Sequence, residues 1–185
     1  MRINTKCFGE IDVTEDKVIT FTEGLLGFEE YKRFTLLYNN EEGKKSNVSW
    51  LQSMDEEKLA FPVIIPCLVK EDYKPIINEG VLKNLGELND DNTVVLLTIS
   101  VPKDVTNMTA NLRAPLIINS DMRIGYQVIV ENQDYEIKYR IYDIIQQAKE
   151  QRAREAAAMQ EAQQEEALAM QEAQQEEVPA EVTAG

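Results

Sequence analysis

The chain has no histidine among its 185 residues. That removes the commonest metal ligand and the side chain that titrates nearest neutrality, so histidine zinc sites and catalytic triads or dyads built on an imidazole are excluded. Cysteine is nearly absent too: Cys7 and Cys67 are far apart, with no Cys-x-x-Cys spacing. Without that spacing they make no metal motif, and they read as two small apolar side chains on strands. No apolar run reaches the roughly 20 residues of a membrane span. The opening residues MRINTKCFGEIDV have no apolar h-region of a signal peptide, so a cytoplasmic protein is expected. Bases are outnumbered, 19 Lys and Arg against 33 Asp and Glu, for a formal charge of −14. Such a surface repels phosphate backbones, which argues against direct contact with nucleic acid and in favour of basic protein partners.

The acids are unevenly placed. Residues 155–185 carry eight Glu and no Lys, Arg or Asp, which leaves a charge of −6 for residues 1–154. The expected organisation is a β domain over 1–138, an amphipathic helix over 139–154 and an acidic Glu/Gln/Ala-rich low-complexity tail over 155–185. With the tail set aside, about 150 residues suffice for one domain that buries about two-thirds of its unfolded surface.

Short strands punctuated by turns fill the first two-thirds. In VITFT, Ile19 and Phe21 alternate with Thr20 and Thr22, the period of a half-buried strand. Gly24 and Gly27 bracket a tight connection, with one helical turn expected over Glu29 to Arg33. FTLLY (34–38) and VSWLQS (48–53) read as strands around the polar loop NNEEGKKSN. AFPVIIPCLV (60–69) is too apolar to face water, but Pro62 and Pro66 each remove a ladder donor, so an edge or bulged strand is expected. NEGVLKNLGEL suits a short helix capped by Asn78, with Val81, Leu82 and Leu85 on one side. TVVLLTISV is a strand. LIIN and YQVIV read as a hairpin across the turn SDMRIG, with Gly125 placed for positive φ. These spacings indicate an antiparallel barrel or sandwich.

From Tyr139 the period lengthens: Ile141, Ile144, Ile145 and Ala148 share a helical face. An eleven-residue repeat follows, MQEAQQEEALA (159–169) then MQEAQQEEVPA (170–180). That period suits a long helix or loose right-handed coiled coil. Glu161 with Glu165 and Glu172 with Glu176 are like charges at i,i+4, each destabilising by a few tenths of a kcal/mol. A fraying helix ended by Pro179 is the expectation.

Chemistry without histidine would need carboxylates, lysine, cysteine or tyrosine. The dense acidic clusters, Asp55-Glu56-Glu57 and Asn89-Asp90-Asp91-Asn92, sit at predicted turns, where Asp and Asn serve the backbone. Neither has calcium-loop spacing, and no glycine pair forms a phosphate cradle. No catalytic, cofactor-binding or metal residue is assigned, and an enzyme is not expected. More unusual is Asn107-Met108-Thr109-Ala110-Asn111-Leu112-Arg113-Ala114-Pro115. There Asn111 and Thr109 close a turn on local backbone, or Pro115 leaves the preceding residues short of partners as a recognition edge. Trp50 reads as core, and Tyr73 as partly exposed.

FGEIDV (8–13), ITFTEGLLGFEEYKRF (19–34), WLQSMD (50–55), LAFPVIIP (59–66), the stretch from Tyr73 to Leu85, MTANLRAPLIIN (108–119) and GYQVI (125–129) resemble the FliW family of flagellar assembly factors, in that family's order over roughly residues 1–140. The resemblance implies a mainly β, antiparallel barrel-like single domain with short helices and a C-terminal α-helical extension, without catalytic activity or cofactor. It implies binding to the small RNA-binding translational repressor CsrA, which relieves repression of flagellin messenger RNA. It also implies capture by flagellin, so that synthesis is coupled to secretion. The alternative is a flagellin chaperone or secretion factor with no CsrA-binding role. Residues in family motifs that are candidate contacts are Gly27, Phe28, Glu29, Tyr73, Asn107, Thr109, Asn111 and Arg113. Leu26 stands where the family pattern has proline in a GLPGFE-like turn, and the repeat beyond about residue 150 lies outside that pattern.

Overall fold

The structure is a computed structural model. It describes residues 1–38 and 47–176, and the side chains of these apart from 152, 161 and 165–176. Most of the polar loop NNEEGKKSN, together with Pro179, lies outside the described residues. The chain divides into a first unit, Met1–Ile145, and a second from Gln146 onward.

The first unit starts with a separate hairpin, β1 (Arg2–Thr5) and β2 (Gly9–Asp12). A meander follows, made of β3 (Val18–Phe21), β4 (Arg33–Tyr38), β5 (Val48–Ser53) and β6 (Ala60–Ile64). Helix α1 (Glu79–Leu82) and a 3₁₀ turn lead to β7 (Thr93–Ser100), then to β8 (Thr109–Ala110), β9 (Leu116–Asn119), β10 (Ile124–Gln127) and β11 (Tyr139–Arg140). Seven strands close a ring in the order β7, β6, β5, β4, β3, β10, β9 and back to β7, with β8 and β11 added beside β7. Every pair in the ring is antiparallel except β3 with β10, where Ile124 and Gly125 run parallel to Thr20 and Phe21. An odd number of strands cannot alternate direction all the way round, so one parallel seam is unavoidable. The mainly β barrel expected from the sequence is present.

Two faces of the barrel wall are buried. Val63, Leu96, Leu116 and Ile118 join Phe21, Phe34 and Leu51 in one apolar cluster, while their chain neighbours Ile64 and Leu97 join Leu112, Val130, Ile141 and Ile145 in a second. Ile117 packs with Leu85 and Val128 in a third. Alternation therefore fails in β6, β7 and β9, which read as unbroken apolar runs because both of their faces lie under other chain. Each fully buried side chain of this size contributes about 1.5–3 kcal/mol.

Local chemistry sets the connections. Asn78 caps α1 as expected, its side chain accepting from the Gly80 amide at 2.9 Å. Pro62 is tolerated because β6 pairs with β5 along its whole length but with β7 only at Val63 and Ile64. β6 is thus an interior strand whose second side is paired at one end alone. Four expectations are corrected. Glu29 and Glu30 form a turn rather than starting a helical turn, and β4 begins at Arg33. Gly125 has no positive φ: Arg123 takes that conformation (φ 54°), while a Cβ on Gly125 would lie 2.5 Å from Phe21 Cζ. The hairpin turn is organised by Asn119, whose Oδ1 accepts from the Asp121 and Met122 amides at 3.0 Å. Neither cysteine is on a strand: both are free and exposed, Cys7 between β1 and β2 and Cys67 in the 3₁₀ turn Pro66–Leu68. Trp50 is half-buried rather than core.

Helix α2 (Tyr142–Glu176) begins three residues later than the periodicity suggests, because Tyr139 and Arg140 pair with β8 as β11. It is continuous past Glu155 and through the repeat as far as Glu176. No helix among the described residues is long and apolar enough to cross a membrane.

Candidate protein-binding surface

The segment Asn107–Pro115 leaves β7 and runs across the barrel wall. β8 is clasped on both sides, with Ala110 opposite Ile99 and Tyr139, and Thr109 opposite Ser100 and Arg140. Asn111 then turns the chain: its amide donates to Thr98 O at 2.9 Å, and its Oδ1 accepts from the amides of Arg113 (3.0 Å) and Ala114 (3.1 Å). This is the local closure that asparagine favours.

Past that turn, each carbonyl has a partner. Leu112 O accepts from Tyr73 Oη at 2.8 Å, Arg113 O from the Val130 amide at 3.0 Å, Ala114 O from Gln127 Nε2 at 3.2 Å and Pro115 O from the Val128 amide at 3.0 Å. The Leu112 amide donates to Glu136 O at 3.0 Å. The main chain is therefore not an open recognition edge, and any contact made here is made by side chains. Arg113 is half-buried, and its guanidinium has no hydrogen bond or ion pair among the described residues. Asn107 is exposed in a small polar net: its Nδ2 donates to Asp104 Oδ2 at 2.9 Å and its Oδ1 accepts from Arg140 Nη2. Hydrogen bonds from the Thr106 hydroxyl and amide hold the Asp104 carboxyl below the usual carboxylate range.

Tyr73 supports the segment from the side. It is half-buried, stacked on Tyr135 with ring centroids 4.9 Å apart, and burial pushes its hydroxyl well above the ordinary tyrosine range. Tyr135 Oη in turn accepts from the Lys74 amide at 2.8 Å. With its hydroxyl given to Leu112 O, Tyr73 positions the segment.

The turn after β3 is built with similar economy. Phe28 N–H donates to Leu25 O at 2.7 Å and Gly27 has φ 83°, a type II turn with glycine at the position that demands it. Gly24 has φ 72°, and a Cβ there would lie 2.6 Å from Glu29 Cα. Glu29 Oε1 accepts from the Gly27 amide at 2.8 Å, and that bond holds its carboxyl below the usual glutamate range. Phe28 meets Phe61 edge to face at 5.0 Å. Gln127 ties this turn to the first segment, accepting from the Leu26 amide at 2.8 Å while donating to Ala114 O.

Of the eight candidate contacts, Gly27, Phe28, Glu29, Asn111, Arg113 and Tyr73 thus belong to one connected structure joined through Gln127 and Leu112. Asn107 and Thr109 lie at its far end, beside β11. Gln127 and Tyr135 escaped the sequence reading. The clue for Gln127 was an amide side chain inside an otherwise apolar strand, where an unsatisfied polar group would be costly.

The acidic clusters serve backbone. Ser53 Oγ accepts from the Asp55 and Glu56 amides, each at 3.1 Å, Asp55 pairs with Arg33, and Glu56 Oε1 accepts from the Lys58 amide at 3.0 Å. They line an open groove of about 540 Å³ beside Arg2, Ile3 and Asn4. Asn89 and Asn92 close their own turn through side-chain to amide bonds. Among the described residues no group of three or more Cys, Asp or Glu is placed to hold a metal ion.

The FliW protein family matches residues 2–141. The chain is 46% identical over 146 residues to the flagellar assembly factor FliW of Lachnospira eligens, covering 78% of this chain and 97% of that protein. It is 48% identical to that of Lachnoclostridium phytofermentans, covering 79% and 94%, and 42% identical to that of Leptospira interrogans, covering 77% and 94%. A crystal structure of the flagellar assembly factor FliW superposes with a TM-score of 0.71 at 30% identity, covering 77% of this chain and 97% of that one. With the family matched from β1 through β11, and with relatives aligned over nearly their whole length, the chain belongs to the FliW family.

Proposed function

We propose that this protein is a cytoplasmic flagellar assembly factor that works by binding other proteins rather than by catalysis. It binds the RNA-binding repressor CsrA and so relieves repression of flagellin messenger RNA, and it is itself sequestered when unexported flagellin accumulates. The observation that carries the reading is the alignment of the entire barrel, residues 2–141, with proteins named flagellar assembly factor. Charge supports it. An RNA-binding repressor presents basic surface, and a partner of formal charge −14 is steered to that surface and sets negative charge where phosphates would lie. The Glu-rich length of α2 and the acidic residues after it contribute to this repulsion.

Titration calorimetry of the full-length protein, and of a version ending at Glu150, against CsrA with and without flagellin-leader RNA tests the proposal. The full-length protein is expected to bind and displace RNA, and the shortened version to displace it less. Arg113→Glu should weaken one partner, since Arg113 is a cation without an intramolecular partner among the described residues. Binding to flagellin with no heat against CsrA would favour the alternative, a flagellin chaperone or secretion factor without a regulatory arm.

A further inference from the structure

Resting on the protein-binding reading above, we propose that the turn Leu25–Phe28 is a preformed anchor: Leu26 enters an apolar pocket on a basic partner, and the surrounding glutamates meet Lys or Arg on the pocket's rim. Leu26 is 53% exposed and Phe28 36% exposed, on a turn whose other apolar member, Leu25, is buried. An exposed leucine held in one geometry is a different object from one on a mobile loop. The turn is fixed by the Phe28 amide to Leu25 O, by Gly27 to Glu29, by the tight approach of Gly24 to the Glu29 backbone and by Gln127 to the Leu26 amide. Its ordering cost is met during folding, so little further entropy is lost when a partner closes over it. A central apolar side chain with a polar rim is the usual arrangement of an interface hot spot.

The rim selects the occupant. Glu23, Glu29 and Glu30 are exposed around the turn and outnumber the cation beside them, Lys32, whose ammonium donates to Thr22 O at 2.8 Å, so the rim keeps a net negative charge. Negative charge beside an apolar tip complements an apolar pocket flanked by cations and repels one flanked by carboxylates. Of the two partners proposed above, the basic RNA-binding repressor has the matching sign. Leucine at position 26 also retains an N–H that proline lacks, and this N–H is the one Gln127 accepts from. The clasp on the turn is therefore available to this chain and not to a chain with proline there.

The test uses the full-length protein with CsrA and flagellin as separate probes. Leu26→Ser should weaken CsrA binding by about tenfold or more, as for loss of a hot-spot side chain. Leu26→Met should retain affinity, and flagellin binding should be unchanged by either. The double variant Glu23→Gln/Glu30→Gln, at two exposed positions, should slow CsrA association and flatten its dependence on salt, and it tests the rim without touching the turn. Wild-type CsrA affinity in Leu26→Ser, an equal loss for flagellin, or an unaltered salt dependence in the double variant would overturn the anchor. Failure of the wild type to bind CsrA at all would instead remove the regulatory reading, and the anchor with it.

Discussion

Gly125 sits in β10 with its Cα against the ring of Phe21, and any Cβ added there would lie 2.5–2.9 Å from three ring carbons. Phe21 has no room to withdraw, being fully buried and in edge-to-face contact with Phe34 at 5.5 Å. Gly125→Ala is expected to lower stability by about 1–3 kcal/mol, the usual cost of overpacking. It would be read as a reduced urea midpoint with unchanged slope, and an unaltered midpoint would mean that the ring can shift. The sequence marked this glycine for the wrong reason. A glycine beside a turn is naturally assigned a positive φ, because turn chemistry is local, whereas the ring that excludes a side chain comes from a strand far earlier in the chain. The left-handed residue is Arg123, and nothing about arginine announces it. Asn111 was legible for the opposite reason, since its two bonds reach only to residues two and three positions on.

The turn between β3 and β4 carries a titration that can be followed directly. Glu29 accepts from the Gly27 amide, so its charged form is favoured in the folded chain and its pKa lies below that of a free glutamate. For a depressed carboxylate the stabilisation is complete above the unfolded pKa and is lost as pH falls through the folded one. The Gly27 amide resonance should therefore hold its position down through the ordinary glutamate range and move only in more acid solution. In Glu29→Gln that movement should vanish, and a midpoint at or above the free-glutamate value would show that the bond is not made in solution. Strands β4, β5 and β7 could be read from periodicity and composition alone. The helical turn expected at Glu29 is not formed, because the chain there closes successive turns, Phe28 N–H to Leu25 O and Tyr31 N–H to Phe28 O, and is already extended as β4 at Arg33. β11 was hidden inside a helical pattern because its pairing with β8 is a tertiary contact. Of the two readings open at Asn107–Pro115, the local closure at Asn111 holds and the recognition edge does not, because the carbonyls of residues 112–115 are met by Tyr73, Gln127, Val128 and Val130, all outside the segment.

The charge of the whole chain, −14, sets a background against which every local interaction works. Self-repulsion of like charges opposes the compact state. Raising the ionic strength from about 0.02 M to about 0.3 M shortens the screening length several-fold and is expected to raise the melting temperature by a few degrees. A fall with added salt would mean that ion pairs such as Arg33 with Asp55 outweigh the net repulsion. The parallel seam between β3 and β10 bears on how the molecule comes into being. Its two strands are separated by about a hundred residues, which a ribosome adding roughly 5–20 residues per second takes on the order of 5–20 s to make. Throughout that interval β3 has β4 to pair with and no second neighbour. Gln127, which braces the turn at Leu26, is synthesised at the end of it, so a nascent chain carries the apolar tip long before it carries the brace. Closure of the barrel is thus the step that adds the last of the bonds fixing this turn, and the Leu26 amide has no partner in Gln127 until then.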